Sequence, residues 1–472
     1  MFSLAHSARL ERNSRVRLRR WLILLSLFAL LQSAEPAFPF DFSYWVWQRE
    51  EPLSEEEATL LAAQDVHTIY WHIGELENTS ESWRWKARFP LPTGNRSLHI
   101  IPVVRLVSRE PQPFSPASLA ALIAALASAG KLTGELQLDY DAPDRLLDDY
   151  GRALAQIRKT TSRLSITALP HWSRADCLRP LANNVDELFP MLYDFEAEPV
   201  LRNGQPQPII DPEKMARMLR DWSACAKPWH AGLPSFARLT IYNAEGKSRG
   251  QIRNWNWDEV CLSRDLLLAS PSQLGTTLWR ARAPCVISNT RLQTNDQLAV
   301  RLADRDALRS AIEAVRKTTA TGVTFFRLPD SAASSGWSVS QLSHLGDAQA
   351  QLTFRASASG DSCILENETP ADLEPCLHSG DGEERGYAVE LAADLPVFRE
   401  AEPGDFAGVT SSANGKHVTI PFATRVAFVF SQLRARQTLK TGLIQLAPGT
   451  DLGHARYRFR NLKGDSRWRP LN

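Results

Sequence analysis

The sequence is poor in the residues that mark metal, redox and nucleotide sites. Its 472 residues include six cysteines, ten histidines and four methionines. No cysteines stand as Cys-x-x-Cys, and no histidines as His-x-His or His-Glu-x-x-His, so the common zinc patterns are missing. No phosphate loop is present. No Gly-x-Gly-x-x-Gly follows the first strand pattern, which argues against a dinucleotide-binding doubly wound sheet. Neither sign of charge dominates: 54 Lys and Arg face 53 Asp and Glu, a formal net charge of +1. Bulk electrostatics gives no reason to expect a nucleic-acid partner. Beyond the N-terminal segment, no apolar run is long enough to span a bilayer. No internal repeat is visible, and no cofactor or metal is expected.

The N-terminus is distinctive. Arg9, Arg12, Arg15, Arg17, Arg19 and Arg20 face a single acid, Glu11, and the apolar stretch Trp21–Leu31 follows. A basic segment before a short apolar one reads as an export signal, with Ala34 or Ala37 as a cleavage position. The alternative is an uncleaved anchor. The expectation is an exported protein, periplasmic or held at the inner membrane, with membrane association through residues 1–37 alone. An oxidising compartment permits disulfides. Cys363 and Cys376 are the nearest candidates for a local pair.

Strand and helix patterns alternate after the signal. Eight strand candidates start near Asp41, Val66, Leu98, Gly134, Leu164, Val185, Trp229 and Gly322. Helical stripes separate them, including Ser54–Gln64 with Ser54 and Glu57 at capping-box spacing. This alternation predicts a (β/α)8 TIM barrel over residues 38–335, with an irregular insertion between about 240 and 300. From residue 345 the helical patterns stop, and short strands punctuated by Gly, Ser, Asp and Asn predict a small all-β, sandwich-like domain to residue 472. Ser331–Gly336 is the linker candidate.

The fourth strand is the richest in chemistry. In Gly134-Glu135-Leu136-Gln137-Leu138-Asp139-Tyr140-Asp141-Ala142-Pro143, side chains alternate between two faces. Leu136, Leu138 and Tyr140 share the face toward the outer helices. Gln137, Asp139 and Asp141 share the inner face, whose carboxyl end lines a barrel's active site. Two nearby carboxylates repel, so one holds its proton toward neutral pH. Such a group suits a general acid for glycoside cleavage. The competing reading is a solvated or salt-bridged pair at a strand end.

Other strand ends supply partners. Glu75 follows the second strand and Asp194 the sixth, although Glu75 alone also fits an ordinary exposed loop acid. Gln48 and Arg105 are placed to bind substrate hydroxyls or a carboxylate. His171 and Trp172 follow the fifth strand. The chain has 14 tryptophans, several of them at strand ends, Trp47 and Trp71 among them. They serve either as core filling or as stacking platforms for sugar rings.

Two resemblances add to these readings. Leu138-Asp139-Tyr140-Asp141-Ala142-Pro143 is similar to the fourth-strand signature of family 18, chitinase-like glycoside hydrolases. That signature ends in Asp-x-Glu, often followed by Tyr-Pro. Met191-Leu192-Tyr193-Asp194 is similar to the family's sixth-strand Met-x-Tyr-Asp. The resemblance implies that Asp141 is the acid and Asp139 its helper, with Tyr193 and Asp194 positioning substrate. Asp141 stands where the family has Glu, one methylene shorter, and Gly134 and Gln137 replace two further acids. Across most of the exported chain, Trp45–Arg49, Tyr70–Leu76 and the fourth strand resemble an uncharacterised bacterial family, domain of unknown function 3142. It implies a barrel and no established activity.

The expectation is an exported glycoside hydrolase-like protein acting on a polysaccharide or cell-envelope glycan. The alternatives are a non-catalytic glycan-binding protein on the same scaffold and a metal-dependent hydrolase using Asp139 and Asp141.

Overall fold

The computed structural model describes residues 40–471 except 80–81, 93–97, 109–114, 129–133, 195–197, 330–334, 346–352, 378–384 and 462–466. Residues 1–37, expected to be a signal or anchor, and most of the linker candidate Ser331–Gly336 lie outside the described residues.

Eight parallel strands form a barrel. In chain order the first strands are β1 (Asp41–Val46), β2 (Thr68–Asn78), β3 (Trp83–Arg88), β4 (His99–Ser108), β5 (Glu135–Asp139), β6 (Arg163–Ala168), β7 (Glu187–Pro190) and β8 (His230–Pro234). An antiparallel insertion follows: β9 (Ala237–Tyr242), β10 (Ser248–Ile252), β11 (Leu266–Gln273), β12 (Thr276–Ala281), β13 (Cys285–Ile287), β14 (Thr290–Leu292) and β15 (Gln297–Leu302). The chain then returns to the barrel as β16 (Gly322–Phe326). The barrel order is β7-β6-β5-β4-β2-β1-β16-β8. Bridges Leu188–Trp229 and Met191–Gly232 close β7 onto β8. All eight predicted barrel strands are present. β3 lies outside the barrel and pairs antiparallel with β2; it was not foreseen.

The helices follow local chemistry. Ser54 Oγ accepts the Glu57 amide at 3.1 Å while the Glu57 carboxylate accepts the Ser54 amide at 2.8 Å, so the predicted capping box starts Glu55–Ala63. Asp304 caps Arg305–Arg316. Asp144 does not cap the helix that follows β5. A 3-10 turn occupies Asp144–Leu146 before the helix Leu147–Ile157, and the Asp144 carboxylate is taken by His171 and Arg174. The stripe Leu146, Leu147, Tyr150, Leu154 and Ile157 is fully buried, as its spacing predicts.

Inside the barrel, Trp45, Tyr70, Ile101, Val103 and Phe189 pack together. Each large apolar group removed from water there contributes about 1.5–3 kcal/mol. The polar interior side chains pair with one another: Trp45 Nε1 donates to Gln137 at 2.6 Å, Gln137 to Ser165 at 3.2 Å, and Ser43 meets Thr324 at 2.8 Å. At the amino ends of the strands, Glu187 holds Arg163 at 2.7 Å and His230 at 3.0 Å.

The expected irregular insertion is instead ordered sheet. β10-β9-β15-β12-β11 form a five-stranded antiparallel sheet, with β13-β14 as a separate hairpin. Its central strands are buried on both faces, as in Leu239–Tyr242 and Leu298–Leu302, so no alternation of apolar and polar residues marks them in the sequence. Arg301, buried on β15, donates to Thr240 Oγ1 at 3.1 Å and Tyr242 Oη at 2.8 Å and pairs with the Glu198 carboxylate. Arg301→Ala would leave a buried carboxylate without its cation. It is expected to destabilise the protein by about 3–5 kcal/mol, read by urea denaturation monitored at several wavelengths.

From Phe354 onward every sheet is antiparallel. Phe354–Ser359, Ser362–Asn367 and Thr438–Lys440 form one sheet, and a six-stranded sheet centres on Tyr387–Ala392, Arg425–Phe430 and Arg456–Arg460. A single core lies between them, with Ala356 and Leu365 from the first and Val389, Leu391, Val426 and Phe428 from the second. Ile420–Phe422 forms a 3-10 turn. Cys363 and Cys376 are buried in this core as thiols, and there is no disulfide among the described residues. Their expected pairing is not formed: burial and then the nearby Cys376 raise the Cys261 thiol pKa, so Cys376 faces Cys261, whereas burial alone acts on Cys363.

Candidate active site

The carboxyl ends of the barrel strands bring four inward side chains into one row. Register pairs Glu75 on β2 with Arg105 on β4, and Arg105 with Asp139 on β5. Thr167 on β6 continues the row by donating to Asp139 Oδ1 at 2.7 Å. Strict alternation along β2 would turn Glu75 away from the interior, since Tyr70 and His72 point in. A bulge between His72 and Gly74 shifts the phase by one residue and aims Glu75 inward. Gly74 has φ 151°, and a Cβ there would lie 2.4 Å from the Ala87 carbonyl, so only glycine lets β3 approach.

Arg105 is the hub of the mouth. Its Nε lies 3.5 Å from Asp139 Oδ2, its Nη1 3.6 Å from Glu75 Oε1 and its Nη2 4.0 Å from Asp141 Oδ2. Glu75 also holds Lys86 from β3 at 2.9 Å. Glu75 is therefore not an exposed loop acid: it is buried, and Lys86 and Arg105 outweigh its desolvation and hold its pKa below the ordinary carboxylate value. Asp139 behaves oppositely. Burial first, and then the Asp141 charge, push its pKa up to about 6 against the pull of Arg105. Asp141 lies beyond the end of β5 with 54% of its side chain exposed. The walls of the mouth still desolvate it enough to raise its pKa, opposed by Arg105.

Aromatic rings floor the rest of the mouth. Trp47 stacks on His72 with centroids 4.0 Å apart and planes at 9°. Burial lowers the His72 pKa to about 4, so this ring is neutral. Tyr193 stacks on Phe326 at 5.9 Å and meets Phe236 edge-on at 5.9 Å. Burial, followed by the charges of Asp139 and Asp141, raises the Tyr193 phenol well above its usual pKa, leaving it a hydrogen-bond donor.

The other predicted site residues divide. Asp194, in a left-handed conformation at φ 52°, is bound to Arg238. Gln48, also left-handed at φ 53°, is exposed after β1. His171 pairs with Asp144 at 2.8 Å rather than with Asp139 or Asp141. Trp71 and Trp172 are 1% and 0% exposed, which makes them core residues and removes them as stacking platforms. Trp71 points outward from the barrel because it lies between the inward Tyr70 and His72, and its Nε1 donates to the Pro90 carbonyl at 2.9 Å. Trp255 and Trp257 are buried against each other. Sequence reasoning missed Thr167, Lys86, Phe236 and Phe326. Lys86 had a signal: Trp83-Arg84-Trp85-Lys86-Ala87-Arg88 alternates at the period of a strand.

Residues 98–331 match a family model described as a domain of unknown function, DUF3142. This stretch is similar to DUF3142. The DUF3142 match runs from the start of the third barrel strand past the eighth and takes in the antiparallel insertion, so Arg105, Asp139, Asp141, Tyr193 and Asp194 fall within it. No curated protein matches the sequence. Among solved structures, the chain is similar to a chitinase from Chromobacterium violaceum, at 12% identity over 61% of this chain and 94% of that one, with a TM-score of 0.43. It is also similar to the spore cortex-lytic enzyme SleL of Bacillus megaterium, at 13% identity over 61% of this chain and 70% of that one, with a TM-score of 0.43. A class V chitinase from Nicotiana tobaccum is 13% identical over 65% of this chain and 97% of that one, with a TM-score of 0.41. Identities this low say nothing about the chemistry of this barrel.

Proposed function

We propose that this protein is an exported glycoside hydrolase acting on a polysaccharide or cell-envelope glycan. The observation that carries the reading is the unequal carboxylate pair at the mouth, with Asp139 buried and Asp141 open. Buried Asp139, held by Thr167 and Arg105, shares the pair's proton near neutral pH. Asp141 reaches solvent from the end of β5 and delivers a proton to the leaving glycosidic oxygen. Asp139 then carries the compensating charge or orients a substrate group. The Tyr193 hydroxyl and the Trp47 ring hold sugar, one by hydrogen bonding and the other by stacking. Glu75, already ionised and doubly paired, positions Arg105 and does not donate a proton.

The Arg105 guanidinium lies among the three carboxylates where a metal-dependent hydrolase would place its cation. This favours acid catalysis over the metal reading. Export is supported by the arginine-rich start and the apolar stretch Trp21–Leu31.

The test is reducing-sugar release from a broad glycan panel by the signal-free protein, with Asp141→Asn alongside. Release by the wild type that falls about 10²–10⁴-fold in the variant is the expected result. Equal release by both would remove Asp141 as the acid. Glycan binding without turnover in either protein would leave a non-catalytic binding protein.

A further inference from the structure

A cavity of about 620 Å³ opens between the segment after β7 and the insertion sheet. It does not contain the carboxylates of the mouth. Tyr193 faces the mouth, and its neighbour Asp194, bound to Arg238, lines the cavity. The volume falls in the range of about 300–1,000 Å³ typical of small-ligand sites and has room for a disaccharide-sized ligand.

The lining is wired for polar recognition. Three acids, Asp194, Glu198 and Asp211, meet three bases, Lys214, Arg238 and Arg301. Asp194 is neutralised by Arg238 and Glu198 by Arg301. Asp211 accepts the amides of Glu213 and Lys214, each at 3.0 Å, as a helix cap. Tyr242 Oη donates to Glu198 at 3.0 Å, tying the floor together. Arg301 is 5% exposed, and its Nε–H has no hydrogen-bond partner among the described residues. Gln207, Ser248 and Gln251 add uncharged polar groups around the opening. Equal numbers of acids and bases give no net field to draw in an ion. Densely placed donors and acceptors match a ligand rich in hydroxyl groups.

Ser248 lies in Gly246-Lys247-Ser248-Arg249-Gly250, which has Gly-x-Ser-x-Gly spacing. That motif serves as a nucleophile elbow only on a strand-to-helix turn. Here it follows the turn of the antiparallel β9-β10 hairpin, so Ser248 lines a wall and is no nucleophile.

We propose that this cavity is a second saccharide-binding site, taking an uncharged, hydroxyl-rich sugar unit of the glycan whose cleavage is assigned to the barrel mouth. It rests on that glycan assignment but uses none of the residues assigned to proton transfer. The insertion thereby selects chains long enough to reach beyond Tyr193.

The test measures binding apart from turnover. Neutral tetrasaccharides of glucose, xylose and N-acetylglucosamine, and a tetrasaccharide of glucuronate, are titrated by saturation-transfer NMR and calorimetry into Asp139→Asn/Asp141→Asn protein. The titration is repeated after adding Ser248→Trp, which fills the cavity from an exposed strand position. Gln251→Ala is the milder variant, and circular dichroism verifies folding. The expected result is binding of at least one neutral tetrasaccharide, weakened at least tenfold by Ser248→Trp and measurably by Gln251→Ala. Binding that Ser248→Trp leaves unchanged, binding of the glucuronate chain alone, or no binding of any chain overturns the proposal. Sugar release by the wild type that persists unaltered in Ser248→Trp would sink the cavity site while leaving the barrel assignment standing.

Discussion

Asp139→Asn is expected to yield a protein more resistant to unfolding at pH 7 yet about 10²–10⁴-fold slower on glycan. Both effects have one origin. Burial and the neighbouring Asp141 raise the Asp139 pKa from 3.8 to about 6 in the fold. Below pH 4 the carboxyl keeps its proton in both folded and unfolded chains, so its burial carries no ionisation penalty. As pH rises from 4 through 6, the unfolded chain releases its proton first, and folding is progressively disfavoured. By pH 7 the cost is about 3 kcal/mol, since a rise from 3.8 to about 6 counts about 1.4 kcal/mol per pKa unit. Asparagine has no proton to lose and keeps an oxygen to accept from Thr167. Urea denaturation at pH 4 and pH 7 should show wild type and variant converging at the lower pH and separating at the higher. A stability difference that does not change with pH would mean that Asp139 is not held partly protonated. Retained activity would remove Asp139 from the chemistry.

Arg105→Met is expected to be damaging in both respects. One guanidinium lies within 4.0 Å of Glu75, Asp139 and Asp141. Removing it leaves three carboxylates facing one another across a half-open mouth. Breaking a fully buried pair costs about 3–5 kcal/mol. Arg105 is 35% exposed, so water screens part of this, and a loss of about 1–3 kcal/mol is expected at pH 8. Arg105 lowers the pKa of all three acids. Without it they rise, so the stability loss should shrink as pH falls and the acids protonate. The alkaline limb of the pH–rate profile, where the shared proton is lost, should move upward. Arg105→Lys keeps the charge without the planar fork and should fall between. A Met variant with unchanged alkaline limb and unchanged stability would reduce Arg105 to a surface cation.

The barrel was legible because its strands carry their own signals. Short apolar runs between helical stripes, with Ser54 and Asp304 before two of the helices, are local patterns that survive in the fold. The alternation along Leu136–Asp139 likewise assigned the inward and outward faces correctly, with Gln137 bonded inside the barrel and Tyr140 packed on Tyr150. The tryptophans were less legible. Trp47 and Trp71 look alike in sequence, but only Trp47 lies at the mouth, because one residue of phase sends Trp71 to the outer layer. The insertion was misread because its central strands are buried on both faces and so carry no two-residue alternation to reveal them.

The sequence by itself determined the strand count, the barrel class and the inward aim of Asp139, since these follow from periodicity within single segments. The tertiary structure decided what those residues can do. Glu75 points into the mouth only because of a bulge paired against β4, and Arg105 meets three acids only because β2, β4 and β5 lie side by side in register. The same strand that buries Asp139 leaves Asp141 in water, and that inequality separates their roles. Desolvation and charge proximity depend on neighbours distant in the chain, so no local pattern could have supplied them.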